Sequence, residues 1–218
     1  MTRSVLLVGA TGLVGRECLH LLLATPVFTQ VATLARRALP SDVVDGQRAA
    51  VVEQRVVDFE QLVANPALVR ADQIICALGT TIEIAGTRER FRHVDFDYPL
   101  TIARLGLEQG ARHFLLVSAL GANPRSMIFY NRVKGDLEEA LRAMPWRSLT
   151  IVRPSLLVGE RARPRRGEEM GKRLSWLVPA RYKPISADMV ATALVRAAVT
   201  DEPGQRIIES VEIRQRYS

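Results

Sequence analysis

Short, nearly unbroken apolar runs alternate along the chain with longer stretches in which apolar residues recur every three or four positions. Runs of the first kind fall at 4–8, 30–35, 50–57, 73–77, 113–117, 148–152 and 206–209. A strand with one wet face would alternate polar and apolar residues, so these runs predict strands covered on both faces. Helical spacing appears at 13–24 (Leu13, Leu19, Leu22, Leu23), where Pro26 stops it, and at 126–143 (Phe129, Val133, Leu137, Ala140, Leu141). It appears again at 187–199 (Val190, Leu194, Val195, Ala198), behind Ser186 as the expected N-cap. A further helix is expected over 91–109, with a kink or break near Tyr98, because Pro99 has no backbone donor and clashes with the preceding turn. The rhythm predicts an α/β fold: a doubly wound, mostly parallel sheet of about seven strands in one domain over 1–218. Residues 159–187 break the rhythm with Arg, Gly, Pro and Glu and read as a small C-terminal lid over the cleft beyond the strands' carboxyl ends.

Composition narrows the class. Of 218 residues 48% are hydrophobic and 24% charged, which excludes a disordered or fibrous chain. Cys18 and Cys76 lie in apolar stretches without a second cysteine nearby, so buried free thiols are expected rather than a disulfide or metal site. His20, His93 and His113 are too dispersed for a metal site or a serine-histidine relay, and His113 reads as structural. No apolar run reaches the roughly 18–20 residues of a membrane-spanning helix, and the expected location is the cytosol. The net charge of +7 raises nucleic acid as a partner, through Arg161, Arg163, Arg165, Arg166, Lys172 and Arg173. Glu160, Glu168 and Glu169 interrupt that stretch and no aromatic interleaving accompanies it, which argues against nucleic acid; Trp176 fits a substrate lid better than a membrane anchor.

The first apolar run leads into Gly9-Ala10-Thr11-Gly12-Leu13-Val14-Gly15. Glycines at a first strand-to-helix turn permit the tight turn, the approach of a diphosphate to backbone amides, and close helix–sheet packing, although a plain turn also uses glycine. At the end of the second strand, where NAD would call for a carboxylate, the chain has Leu34-Ala35-Arg36-Arg37. Guanidinium groups suit a 2′-phosphate and favour NADP(H) over NAD(H); the alternative is a solvated basic loop. Asp58 could meet the adenine amino group or simply cap the helix that follows. Ala77-Leu78-Gly79-Thr80 supplies small residues where backbone must pass close to a ribose. Ser118 ends the fifth strand, and Tyr130 and Lys134 are spaced to share one helical face. Only three of the thirty basic residues are lysines (Lys134, Lys172 and Lys183), so a lysine at that offset is a pointed choice.

These segments, with Arg153-Pro154-Ser155-Leu156-Leu157-Val158-Gly159-Glu160-Arg161 after them, resemble the short-chain dehydrogenase/reductase superfamily with its Rossmann sheet. The resemblance is to the atypical branch, closest to the NADPH-binding Tat-interacting-protein group, and it spans nearly the whole chain. It implies Tyr130 as general acid or base, Lys134 as the residue that binds the nicotinamide ribose and lowers the phenol's pKa, and Ser118 as the residue that orients the substrate oxygen. It implies cofactor contacts from Gly9, Thr11, Gly12, Leu13, Val14, Arg36, Arg37, Asp58, Ala77, Leu78, Gly79, Thr80, Tyr130, Lys134, Pro154 and Leu157, with no metal. Many members carry an asparagine before the fifth strand, in a water-holding proton relay; the nearest residue here is Asp95. The part after Arg153 is short beside sugar-nucleotide epimerases, which points to a small or flat carbonyl or alcohol as substrate. A second reading keeps the NADP(H) site but makes the chain a regulatory or scaffold protein that presents a surface to a protein partner.

Overall fold

A computed structural model describes residues 3–39, 52–158 and 179–217. Seven strands form one sheet: β1 (Arg3–Val8), β2 (Phe28–Ala35), β3 (Val52–Val56), β4 (Gln73–Cys76), β5 (His113–Val117), β6 (Ser148–Arg153) and β9 (Gly204–Glu209). Their order is β3-β2-β1-β4-β5-β6-β9, every pair parallel. A two-stranded pair, β7 (Leu157–Val158) with β8 (Ile185–Ser186), stands apart from it. The chain winds outward in opposite directions from β1 and β4, and the crevice between their carboxyl ends is where such sheets place ligands.

The apolar runs fold as strands because both their faces are covered. Val5 and Leu7 of β1 enter a core with α1 (Leu13–Ala24) and α6 (Ala187–Thr200), while Leu6 and Val8 enter the opposite core with α4 (Tyr98–Glu108) and α5 (Phe129–Arg142). All four are completely buried, and truncating any one to alanine costs roughly 2–5 kcal/mol for a leucine and less for a valine. The edge strand β3 departs from this rule. Its Glu53, Gln54 and Arg55 lie at the sheet's margin, where charge discourages pairing with another chain; residues 50 and 51 of the expected strand lie outside the described residues.

The helix expected over 91–109 is three pieces: α3 (Arg88–Arg92), a π-helical turn (His93–Asp97) and α4. The Tyr98 amide bonds back to the His93 carbonyl, five residues earlier, so the widening precedes Pro99 and leaves the proline in a first turn that needs no donor from it. A short α2 (Ile82–Ala85) precedes them and α7 (Ser210–Tyr217) closes the described chain. Ser186 stands at the N-cap of α6, but its hydroxyl makes no capping bond and is buried without a partner among the described residues, so the expected side-chain cap is corrected. Cys18 and Cys76 are buried free thiols, pushed up to about 12 and about 11 by burial. His113 is buried between Thr150 Oγ1 at 3.0 Å and Asp201 Oδ1 at 3.1 Å.

Candidate active site

The crevice has two ends. At the first, β1 runs into the glycine loop. Gly9 takes φ +88°, and a Cβ there would lie 2.6 Å from the Ala77 carbonyl oxygen; a Cβ on Gly15 would lie 2.0 Å from the Gly9 oxygen. Loop, helix and β4 are thus packed at separations only glycine allows. Gly9 O accepts the Gly12 amide at 3.0 Å, and Gly12 starts α1 with no side-chain cap and no acid in the first turn. Among the described residues the first-turn amides and the positive end of the helix dipole thus have no side-chain cap and no acid beside them, a donor set that fits a diphosphate. Thr11 and Gly12 are exposed and Leu13 is half-buried, whereas the Val14 side chain belongs to the core and leaves only its backbone for a ligand.

Arg36 and Arg37 sit in an exposed bend directly after β2, with no hydrogen-bond partner among the described residues. Asp58 accepts the Glu60 amide at 3.1 Å and caps the 3-10 turn Phe59–Ala64, the second of its two readings. Beside it lies a group that the sequence did not announce. Glu60 Oε1 accepts the Tyr98 hydroxyl at 2.6 Å and lies 2.7 Å from His93 Nε2, while His93 Nδ1 lies 2.9 Å from Asp97 Oδ2. Hydrogen bonds to Asp97 and Glu60 raise the His93 pKa.

At the second end, α5 carries Tyr130, Lys134 and Glu138 in one row, four residues apart. Tyr130 is half-buried against Phe91, ring centroids 5.5 Å apart, and Lys134 Nζ lies 6.0 Å from the Tyr130 centroid. Lys134 is buried, with Nζ 2.7 Å from Asp95 Oδ1; Asp95 Oδ2 accepts the Thr80 amide at 2.8 Å. Burial, the largest single influence, pushes the Lys134 pKa down, but the charge of Asp95, the neighbouring Tyr130, the hydrogen bond to Asp95 and Cys76 together outweigh it, and the pKa ends above its usual value.

Glu138 is buried and accepts the Ser118 hydroxyl as well as Arg153 Nε and Nη2, the latter at 2.5 Å. Arg153 Nη1 reaches Glu209 at 2.9 Å. The hydrogen bond that Arg153 donates to Glu138, ahead of the opposing effect of burial, raises the arginine's pKa further. Ser118, directly after β5, thus donates its proton to a carboxylate inside the protein. Glu138 was missed in the sequence, and Arg153 was noted only as the first residue of a motif, although Glu138 extends the Tyr130–Lys134 row by one turn among the buried Val133, Leu137 and Leu141.

The loop 77–80 crosses between the two ends: Ala77 and Leu78 are half-buried and Gly79 is exposed. Pro154 is buried and its carbonyl accepts the Leu120 amide at 2.8 Å, and Leu157 opens β7. Of the expected lid, 159–178 lie outside the described residues, as do Trp176 and the basic stretch 161–173.

A sequence profile described as NAD(P)H-binding matches residues 9–201. The chain belongs to this NAD(P)H-binding family. Protein HTATIP2 of Rattus norvegicus is 33% identical over 96% of this chain and 86% of its own length. Protein FMP52 of Eremothecium gossypii, named mitochondrial, is 33% identical over 96% and 95%. These relatives uphold the resemblance to atypical short-chain dehydrogenases/reductases. The family's fold recurs in the UDP-Glc/GlcNAc 4-epimerase of Campylobacter jejuni, at TM-score 0.73 and 14% identity over 97% of this chain and 82% of that one. The cytosolic expectation is corrected: FMP52 proteins from Eremothecium gossypii, Emericella nidulans and Saccharomyces cerevisiae are all named mitochondrial. Among the described residues no helix is long and apolar enough to cross a membrane.

Proposed function

We propose that this protein is an NADP(H)-dependent oxidoreductase that interconverts a small carbonyl and its alcohol, with Tyr130 as general acid and base. The observation that carries this reading is the row on α5: a half-buried phenol, and one turn on a buried ammonium fixed at 2.7 Å by Asp95 beside the loop at the sheet's switch point. NADPH, when bound, supplies the hydride. Tyr130 donates its phenolic proton to the carbonyl oxygen as the carbon is reduced, and accepts it back in the reverse direction. Lys134 bonds the nicotinamide ribose through donors that Asp95 leaves free, the glycine loop holds the diphosphate, and Arg36 and Arg37 meet the 2′-phosphate. Ser118 acts through Glu138, bracing α5 against the end of β5.

The test is turnover of NADPH against a panel of carbonyls. Tyr130→Phe is expected to lower kcat by about 10²–10⁴-fold while leaving NADPH affinity nearly unchanged. Equal turnover by parent and variant overturns the role of Tyr130. Binding of NADPH with no turnover on any carbonyl supports the second reading, a nucleotide-responsive regulatory protein. The commitment of the Ser118 hydroxyl to Glu138 is the observation that favours that reading.

A further inference from the structure

Asp95 is completely buried, in the middle of a π-helical turn, and its two oxygens face different elements. One accepts the Thr80 amide at 2.8 Å and the other lies 2.7 Å from Lys134 Nζ. The widened turn is what delivers it, since π-helical insertions rotate one residue out of the regular helical register. The pair lies directly under the loop 77–80: a Cβ on Gly79 would come within 3.3 Å of Asp95 Oδ1 and 3.6 Å of Lys134 Nζ. The neighbouring Arg92 fixes the turn from outside, bonding Asp136 of α5 at 2.8 Å and covering the Phe96 ring at 4.1 Å.

We propose that Asp95 is the positioning residue of Lys134, a carboxylate braced by the Thr80 amide that holds the ammonium at one point beneath the loop 77–80, where a ribose hydroxyl would meet it. This rests on the functional reading above. A long lysine chain loses rotamer freedom on being fixed, and a buried counter-charge makes that loss before any ligand arrives. As a direct ion pair, Lys134 and Asp95 together carry no net charge. The ionisable groups facing Lys134 are Asp95 from the π-helical turn, Tyr130 from its own helix and Cys76 from β4, whose thiol burial pushes up to about 11.

The presence of only three lysines makes the test direct, because isotope-labelled lysine gives three side-chain signals, and Lys134→Arg assigns one of them. In the parent, the Lys134 signal is expected to show no titration below 10.5, the ordinary lysine value, because Asp95, with Tyr130 and Cys76, outweighs burial. In Asp95→Asn, which keeps the size of the side chain and an acceptor for Thr80, the strongest opponent of burial is removed and the inflection is expected at lower pH than in the parent. An inflection below 10.5 in the parent overturns the proposal, as does the absence of any shift in the variant. The parent result decides alone if Asp95→Asn fails to fold. NADPH binding is measured separately by calorimetry, so that an intact pair in a protein that binds no NADPH overturns the functional reading and not this one.

Discussion

The two ends of the crevice are built on opposite principles. At the glycine loop and the bend after β2, donors and charges are left open: an uncapped helix, exposed Thr11 and Gly12, and guanidinium groups without hydrogen-bond partners among the described residues. At the α5 end the central charges are paired inside the protein, the buried Lys134 by Asp95 and the buried Glu138 by Ser118 and the half-buried Arg153. The difference teaches where binding and chemistry divide. A highly charged ligand repays donors left for it, whereas a reacting group must already be fixed when the ligand arrives. Changes at the paired end should therefore damage stability, and changes at the open end should damage affinity.

Glu138→Ala tests the paired end most severely. It leaves the Arg153 guanidinium and the Ser118 hydroxyl without their shared acceptor, and a loss of about 3–5 kcal/mol in denaturant unfolding is expected. A loss below about 1 kcal/mol, the level of an exposed pair, would erase the contrast. Gly15→Ala comes next, with an expected cost of about 1–3 kcal/mol, since the new Cβ would sit 2.0 Å from the Gly9 oxygen and must move the loop. The double change Arg36→Ala with Arg37→Ala should leave the melting temperature in place. It should weaken NADPH about 10–100-fold, or about 1.4–2.7 kcal/mol, and weaken NADH little; equal losses for both nucleotides would remove the 2′-phosphate assignment.

His93 gives the smallest effect. Asp97 and Glu60 raise its pKa, so its contribution to stability is present below about pH 6.5 and is lost as pH rises through the raised value. The cluster is exposed and screened, so His93→Gln should change stability by less than about 1 kcal/mol at any pH. A large, salt-insensitive loss would place the cluster with the paired end instead.

The legibility of these features in the sequence follows the range of the forces involved. The strand β5 and helix α1 stand where apolar spacing puts them, because burial on known faces is a local pattern. The edge strand β3 was harder, since its exposure depends on its having one neighbour in the sheet, which no local window contains. Pro99 announced a broken helix but not a π-helical turn, whose consequence is the inward Asp95. At the candidate site, the glycine loop and the Tyr130–Lys134 row were legible because each lies within one turn or helix. The Lys134–Asp95 and Glu138–Arg153 pairs were not, because each joins elements that only the folded sheet brings together. Ser118 shows the limit of reading by position: it ends the expected strand, yet its hydroxyl points to a buried carboxylate.

The central claim is that a phosphorylated nicotinamide nucleotide occupies the open end. Titration calorimetry of the purified protein with NADPH and then NADH tests it most directly. Saturable binding of NADPH, tighter than that of NADH, is the predicted result, and failure of both nucleotides to bind would contradict the account.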